Sequence, residues 1–413
     1  MNHNSTRKKS NVQESSGITH LSNDLCGSAT TQEKERWNGF CEIESEPALF
    51  NVMLREFGVE GVKVQEVVSL DEDMMAGLSK PVYGLVFLFR WREDDPNKQE
   101  ASCPEGLWFA NQTASNACAS VALLNIVNNI EGIELGENLQ HFKEFTMPFT
   151  PALRGDAINN FEFVKQIHNS FARKMDILNS DLMLKSEATS KRSRSAKHTK
   201  DESETDAGFH FIAFVPALGT VWKFDGLERQ PHALGKYTSH TDWLDLVKPN
   251  IRTRMEEYEE GQIEFSILSL AKDPLLDLVD RLATNVRHLE SVNQRLISSQ
   301  QGGTGFDSAL EDRLQNAVLG PDETYGLTRE RIDQAKIPAE REAEYDTYSI
   351  QDLAEHQGQL AAEQQFLRAA IREEQQALQA DADYVAGRRY DYGPAVRAWV
   401  RSLARKKVLE DLI

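Results

Sequence analysis

The chain has 413 residues, of which 40% are hydrophobic and 27% charged, with a formal net charge of −19. A chain of this length can bury a sizeable core and carry a second unit. Its acidity argues against nucleic-acid binding through the overall surface and favours a basic protein partner, and no apolar run is long enough to span a bilayer.

The N-terminal stretch MNHNSTRKKSNVQESSG is polar and lacks the apolar segment of a signal peptide. Residues 1–34 are expected to be disordered, with order beginning near Trp37. Four cysteines (Cys26, Cys41, Cys103 and Cys118) stand at wide spacings without a C-x-x-C pair. That pattern speaks against a disulfide scaffold or a zinc cage and for a reducing compartment.

A first helix is expected after Ser45 as N-cap, with Leu49, Phe50, Met53, Leu54 and Phe57 on one stripe and Gly58 as its stop. Tyr83 to Trp91 is a nearly continuous apolar run of strand formers. A neutral stretch, WFANQTASNACASVA, then leads into a helix that Ser115 or Asn116 can cap. The spacing of Phe161, Val164, Ile167, His168 and Phe171 predicts one long helix from Asp156 to about Leu178. Residues 179–207 are charged and rich in Ser and Thr, and contain the basic block KRSR at 191–194. That block reads either as a nuclear-import signal or as a solvated cluster. Two apolar strands follow, FHFIAFV and TVWKFDG, then a helix from Asp242 to Tyr258 and a closing strand in GQIEFSILSL.

From Pro274 onwards the pattern changes. Leu275, Val279, Leu282, Val286, Leu289, Asn293 and Leu296 step by fours and threes, a heptad seam that either folds back within the chain or pairs with another. A polar break covers residues 301–348, expected to be a flexible linker, and helical pattern resumes from Ile350 to about Gln379. A last basic helix starts near Pro394 and carries Val396, Trp399, Val400 and Leu403 on one face.

Cys118 falls in the first turn of its helix, where free N–H groups favour a thiolate, the form of sulfur that attacks carbonyls. The two strands supply a base and its orienter in His210 and Asp225. A two-residue turn at Ala217–Leu218 sets them directly opposite, and one at Leu218–Gly219 makes them diagonal neighbours on the same face. A three-residue loop would put them on opposite faces. Gln112 offers an amide N–H2, and the Cys118 backbone N–H is free, so both could stabilise a tetrahedral oxyanion. His168 and His232 have no Asp placed to orient them and read as structural.

FANQTASNACASVALLNIVNN resembles the active-site signature of the ubiquitin C-terminal hydrolases, the papain-like C12 peptidases. The likeness extends from Trp37 to about Asp273 through WNGFCEIESEPALFNVMLREFGVEGVKVQEVVSLD, PVYGLVFLFRW, KQIHNSFARKM and the FHFIAFV–FDGL pair. It implies an α+β fold, an α/β/α catalytic domain over residues 35–273 with a central antiparallel sheet. It implies Gln112 in the oxyanion hole, Cys118 as nucleophile, His210 as base and Asp225 as its orienter, with no cofactor and no metal. The substrate implied is ubiquitin.

The tail, with EHQGQLAAEQQFLRAAI and RRYDYGP, is similar to the long, proteasome-associated branch of that family, which carries a coiled-coil helix (residues 274–300) and a C-terminal helical UCH37-like domain (residues 349–413). The resemblance implies docking of residues 349–413 on an adaptor domain of a proteasomal ubiquitin receptor, in cytoplasm and nucleus. A chromatin-complex branch directed at histones shares the tail but carries a long insertion that the short span from Asp273 to Ile350 lacks. A docking protein whose tail outweighs its chemistry is the remaining alternative. Residues 179–207 correspond to a crossover loop in the family, with a contour of roughly 100 Å at about 3.5 Å per residue. Such a loop is expected to admit short or unfolded adducts faster than a folded leaving group.

Overall fold

A computed structural model describes residues 29–91, 94–182, 208–238, 240–257, 265–299, 317–390 and 392–406. The disorder expected for residues 1–28, most of the crossover loop with KRSR, and residues 301–316 of the expected linker lie outside the described residues.

Order starts before Trp37. Helix α1 (Thr31–Arg36) opens on a capping box in which the Thr30 hydroxyl and the Glu33 carboxylate each satisfy the other's backbone N–H. Helix α2 (Pro47–Phe57) buries Leu49, Phe50, Met53, Leu54 and Phe57 and stops at Gly58 in the left-handed region (φ 88°). Ser45 is not its cap. Its hydroxyl donates instead to Ser266 at 2.9 Å, and Pro47 starts the helix through its fixed φ.

Six strands make one sheet: β1 (Val62–Glu66), β2 (Val82–Arg90), β3 (Phe209–Ala217), β4 (Thr220–Phe224), β5 (His232–Lys236) and β6 (Ser266–Lys272). Their order is β1-β6-β2-β3-β4-β5 and every neighbouring pair is antiparallel. Alternate residues of β3 feed opposite cores. Phe211, Ala213 and Val215 pack with α2 and with α4 (Cys118–Val127), whereas Ile212 and Phe214 pack with α9 (Leu244–Glu256) on the other side. The α/β/α layering expected from the family resemblance is therefore observed. Between β1 and α4 lies α3 (Glu72–Ala76), and α5 (Glu137–Thr146) follows α4.

The single helix expected over 156–178 is three: α6 (Pro151–Asn159), α7 (Glu162–Asn169) and α8 (174–182). The hydrophobic period is continuous, but amide side chains compete with the backbone at both breaks. Asn160 donates to the Asp156 carbonyl at 2.7 Å, and Asn169 bonds Cys41 N–H at 3.0 Å and Gly39 O at 2.9 Å.

The extension begins with α10 (Pro274–Ser299), which lies along the 40-residue α13 (Ile350–Arg389). At a rise of about 1.5 Å per residue α13 runs roughly 60 Å. The heptad seam pairs within the chain. Val279, Leu282 and Val286 meet Leu367 and Ile371, and Leu289, Val292 and Leu296 meet Leu353 and Leu360. Asn293 accepts from Gln357 at 2.6 Å, and Asn285 accepts from Gln364 at 3.3 Å. These polar pairs in an apolar seam fix its register.

Residues 317–348 are not the expected flexible linker. Tyr325, Leu327 and Ile332 are buried against α10 and α13, α11 (Arg329–Gln334) and α12 (Ala339–Thr347) are helical, and Tyr345 is buried. Isolated apolar residues in a polar stretch lack periodicity, so only their docking on the helix pair reveals them. Helix α13 also runs ten residues past the expected Gln379. That end is held by tertiary contact. Val385 is buried in the catalytic core, and Asp381 accepts from Asn51 at 2.9 Å. A last helix, α14 (Gly393–Arg405), leaves Val396, Trp399 and Val400 exposed.

Candidate active site

Among the described residues Cys118 is the first residue of α4. Neither Ser115 nor Asn116 caps it. The N-cap position is Ala117, with no side-chain bond, so the first-turn N–H groups are left for a ligand. Asn116 sits in the left-handed region (φ 62°) and its amide donates to the Ser180 hydroxyl at 3.2 Å.

The stretch before Cys118 is held from several directions. Asn125 on α4 accepts from Ala110 N–H at 2.8 Å and donates to Ala110 O at 3.2 Å, and Asn129 treats Trp108 in the same way at 3.0 and 2.7 Å. Each amide side chain thus substitutes for a strand partner. The buried Arg154 donates to the carbonyls of Leu107, Phe109, Thr146 and Met147 at 3.0, 3.1, 3.1 and 2.5 Å. Gly155 allows the approach, since a Cβ there would lie 2.2 Å from Asn111 O. Sequence reasoning did not single out Asn125, Asn129 or Arg154. The usable signal is Asn125 and Asn129, four residues apart at the end of an apolar run, with Asn128 between them.

Gln112 lies on this stretch. Its backbone N–H donates to Gly226 O at 2.8 Å, and a Cβ on Gly226 would come within 3.0 Å of Gln112. The glycine after Asp225 therefore lets the Gln112 loop close on it. The Gln112 Oε1 is buried without a hydrogen-bond partner among the described residues.

The β3–β4 hairpin takes the second of the two registers weighed above. Ala217 pairs with Thr220, and Leu218 (φ 52°) and Gly219 (φ 72°) make the two-residue turn. Two left-handed residues match the twist of the strands. Because Ala213 faces Phe224, His210 and Asp225 are diagonal neighbours, and His210 Nε2 lies 2.7 Å from Asp225 Oδ1. Asp225 also accepts from Leu227 N–H at 2.9 Å.

Both groups are buried. Burial drives the His210 imidazole towards its neutral form, but hydrogen bonds and charge from Asp225 and from Cys118 prevail, and its pKa rises to about 9. Burial raises the Asp225 carboxyl, and the imidazole with the Leu227 N–H and Lys223 more than offsets that, so it is lowered. The proton of the pair thus rests on the imidazole at neutral pH.

The other candidates separate cleanly. His168 is buried between the Ser120 hydroxyl and Cys41 O, each at 2.8 Å, and burial pushes its pKa down to about 4. His232, on β5, pairs across the sheet with Lys223 on β4. Burial pushes the Cys41 thiol up to about 12 and raises that of Cys103. Cys118 opens on a cleft of about 430 Å³, whose lining includes Asn116, Glu44, Asp176, Phe211 and Arg388.

No group of three or more metal-binding side chains occurs among the described residues, and no helix there is long and apolar enough to cross a membrane.

Residues 40–256 match the family described as ubiquitin carboxyl-terminal hydrolase, family 1. The chain is 36% identical over 273 residues to ubiquitin carboxyl-terminal hydrolase isozyme L5 of Dictyostelium discoideum, covering 66% of this chain and 73% of that one. It is 30% identical over 281 residues to ubiquitin carboxyl-terminal hydrolase BAP1 of Xenopus tropicalis, covering 63% of this chain but 37% of that one. Among solved structures it is similar to the Trichinella spiralis UCH37 catalytic domain bound to ubiquitin vinyl methyl ester, at 31% identity and a TM-score of 0.44, covering 57% of this chain and 96% of that one. The chain belongs to the C12 family of ubiquitin carboxyl-terminal hydrolases, thiol-dependent peptidases whose substrate is ubiquitin.

Proposed function

We propose that Cys118 is the nucleophile, His210 the proton carrier, Asp225 its orienting carboxylate and Gln112 an oxyanion donor. The reading rests above all on the buried His210–Asp225 pair, 2.7 Å long, whose imidazole also reaches the thiol at the start of α4. A thiolate attacks the carbonyl of the ubiquitin C-terminal glycine. The Gln112 amide and the Cys118 N–H receive the developing negative charge. His210 delivers its proton to the departing amine, and with that proton gone it activates the water that frees ubiquitin from the thioester. A neutral amide suits the oxyanion position because it does not pair permanently with the thiolate.

The test is covalent capture. Ubiquitin carrying a C-terminal electrophile labels the wild type once. Cys118→Ala removes labelling, whereas Cys41→Ala and Cys103→Ala keep it. Labelling that persists in Cys118→Ala overturns the assignment.

The partner of residues 349–413 belongs to the same proposal. The exposed Val396, Trp399 and Val400 on α14 form an apolar stripe on a basic helix, which suits an adaptor domain of a proteasomal ubiquitin receptor in cytoplasm and nucleus. The short span between Asp273 and Ile350 favours this partner over a chromatin complex. Binding of the adaptor domain lost in Trp399→Ala, with labelling retained, supports the reading; unaltered binding refutes it.

A further inference from the structure

Lys223 is a cation buried in the sheet. It stands on β4 two residues before Asp225, and so on the same face, with a side chain only 3% exposed. Lysines are rarely buried to that degree unless they are paired. Its ammonium donates to Asp94 on one side and to Glu228, at 3.3 Å, on the other. Asp94 is held in turn by Arg254 of α9. The mechanism proposed above uses none of these four groups.

Glu228 closes the turn that follows Asp225, and its N–H donates to the Asp225 carbonyl at 3.1 Å. The Gln112 loop is fastened to that turn. Gly226 O accepts from Gln112 N–H at 2.8 Å, and the Asn111 amide donates to Glu228 O at 2.5 Å and to Gly226 O at 3.4 Å. Because Gln112 Oε1 is buried with no partner among the described residues, the aim of its amide depends on where its backbone is held. The Glu228 carboxylate bonds Lys223 through Oε1, and its Oε2 is buried without a partner among the described residues. Burial raises the Glu228 carboxyl, Lys223 opposes that rise, and Asp225 adds to it. Without Lys223 the turn loses the charge that tethers its side chain to the strand.

We propose that Lys223 is a positioning residue: through Glu228 it fixes the turn that holds Gln112 in place to receive the developing oxyanion. The inference rests on the oxyanion reading of Gln112. The tie acts on a group that meets substrate charge only in the transition state, so its loss falls on kcat and leaves KM nearly as it was. Asp94 belongs to the same ion cluster but bonds Lys223 and Arg254 rather than the turn.

The test uses the full chain and ubiquitin bearing a fluorogenic C-terminal amide. Lys223→Met removes the charge and keeps most of the side chain's length. Glu228→Ala cuts the same tie while leaving Lys223 paired with Asp94, and it carries the test if Lys223→Met does not fold. Asp94→Asn is the control, and Gln112→Ala is made alone and combined with each of the first two. Gln112→Ala should lower kcat about a hundredfold, the loss of one oxyanion donor. Lys223→Met and Glu228→Ala should each lower kcat about tenfold with KM within about twofold, the effect of a misplaced donor. Asp94→Asn should match the wild type. The combined variants should fall no further than Gln112→Ala, because a residue that acts through Gln112 then has nothing left to position. Wild-type kcat in Lys223→Met or Glu228→Ala, a loss confined to KM, an equal loss in Asp94→Asn, or a tenfold loss that persists on top of Gln112→Ala overturns the inference. Wild-type kcat in Gln112→Ala defeats the oxyanion reading instead.

Discussion

Replacing Asp225 by asparagine removes a charge beside His210 while keeping an oxygen for the imidazole and for Leu227 N–H. The rise of the imidazole from its ordinary 6.5 to about 9, at about 1.4 kcal/mol for each pH unit, is worth about 3 kcal/mol in favour of the imidazolium. Against the cost of burial, Asp225 supplies the stronger hydrogen bond and the larger charge effect, with Cys118 supplying the rest. Most of the rise should therefore vanish in Asp225→Asn. The wild type should hold its activity up to an alkaline limb near pH 9. The variant's limb should move down by about two pH units, and at pH 8 its kcat/KM should fall by about tenfold. The assay is kcat/KM for ubiquitin with a fluorogenic C-terminal amide across pH 6–10, with circular dichroism to establish that the variant is folded. An alkaline limb at the same pH in both proteins would show that Asp225 does not control the imidazole. The same linkage has a stability sign. Because the folded pKa is raised, the contribution of the pair is complete below about pH 6.5 and is lost as pH rises through about 9.

The remaining predictions concern the scaffold. Asn125→Leu should lower stability by about 2–3 kcal/mol, because both backbone groups of the buried Ala110 lose their partner; urea unfolding measures it, and an unchanged midpoint contradicts the account. Gly155→Ala should unfold or grossly destabilise the catalytic domain, since the new Cβ would sit 2.2 Å from Asn111 O; a normal melting temperature counts against it. Leu218→Gly should stabilise by about 0.5–1 kcal/mol, because Leu218 is left-handed and 56% exposed, so little burial is lost. Asn293→Leu should leave the α10–α13 pair folded but relax its register, which cysteine crosslinking along the seam would detect as new pairings.

The candidate site was legible because its pattern is local. A neutral stretch placed a lone cysteine at a helix start, and strand period two with a two-residue turn put His210 and Asp225 within reach of each other. Apolar runs likewise gave β2, β3, β4 and β6 and the α10 seam, but not the short edge strands β1 and β5. The choice between the two hairpin registers was not local. Neither was the division of 156–178 into three helices, where Asn160 and Asn169 turn their amides to the backbone, nor the folding of 317–348 around Tyr325 and Ile332.

What the sequence by itself determined is the set of candidate reacting groups and the period of the strongly patterned elements, since both depend on residues close along the chain. What only the tertiary structure decided is which distant groups meet. Arg154 under the Gln112 loop, Asn125 against Ala110, and Arg388 beside Cys118 are separated by tens to hundreds of residues. Their pairing follows from buried backbone and charge needing partners, and no spacing rule along the chain encodes which partner packing will supply.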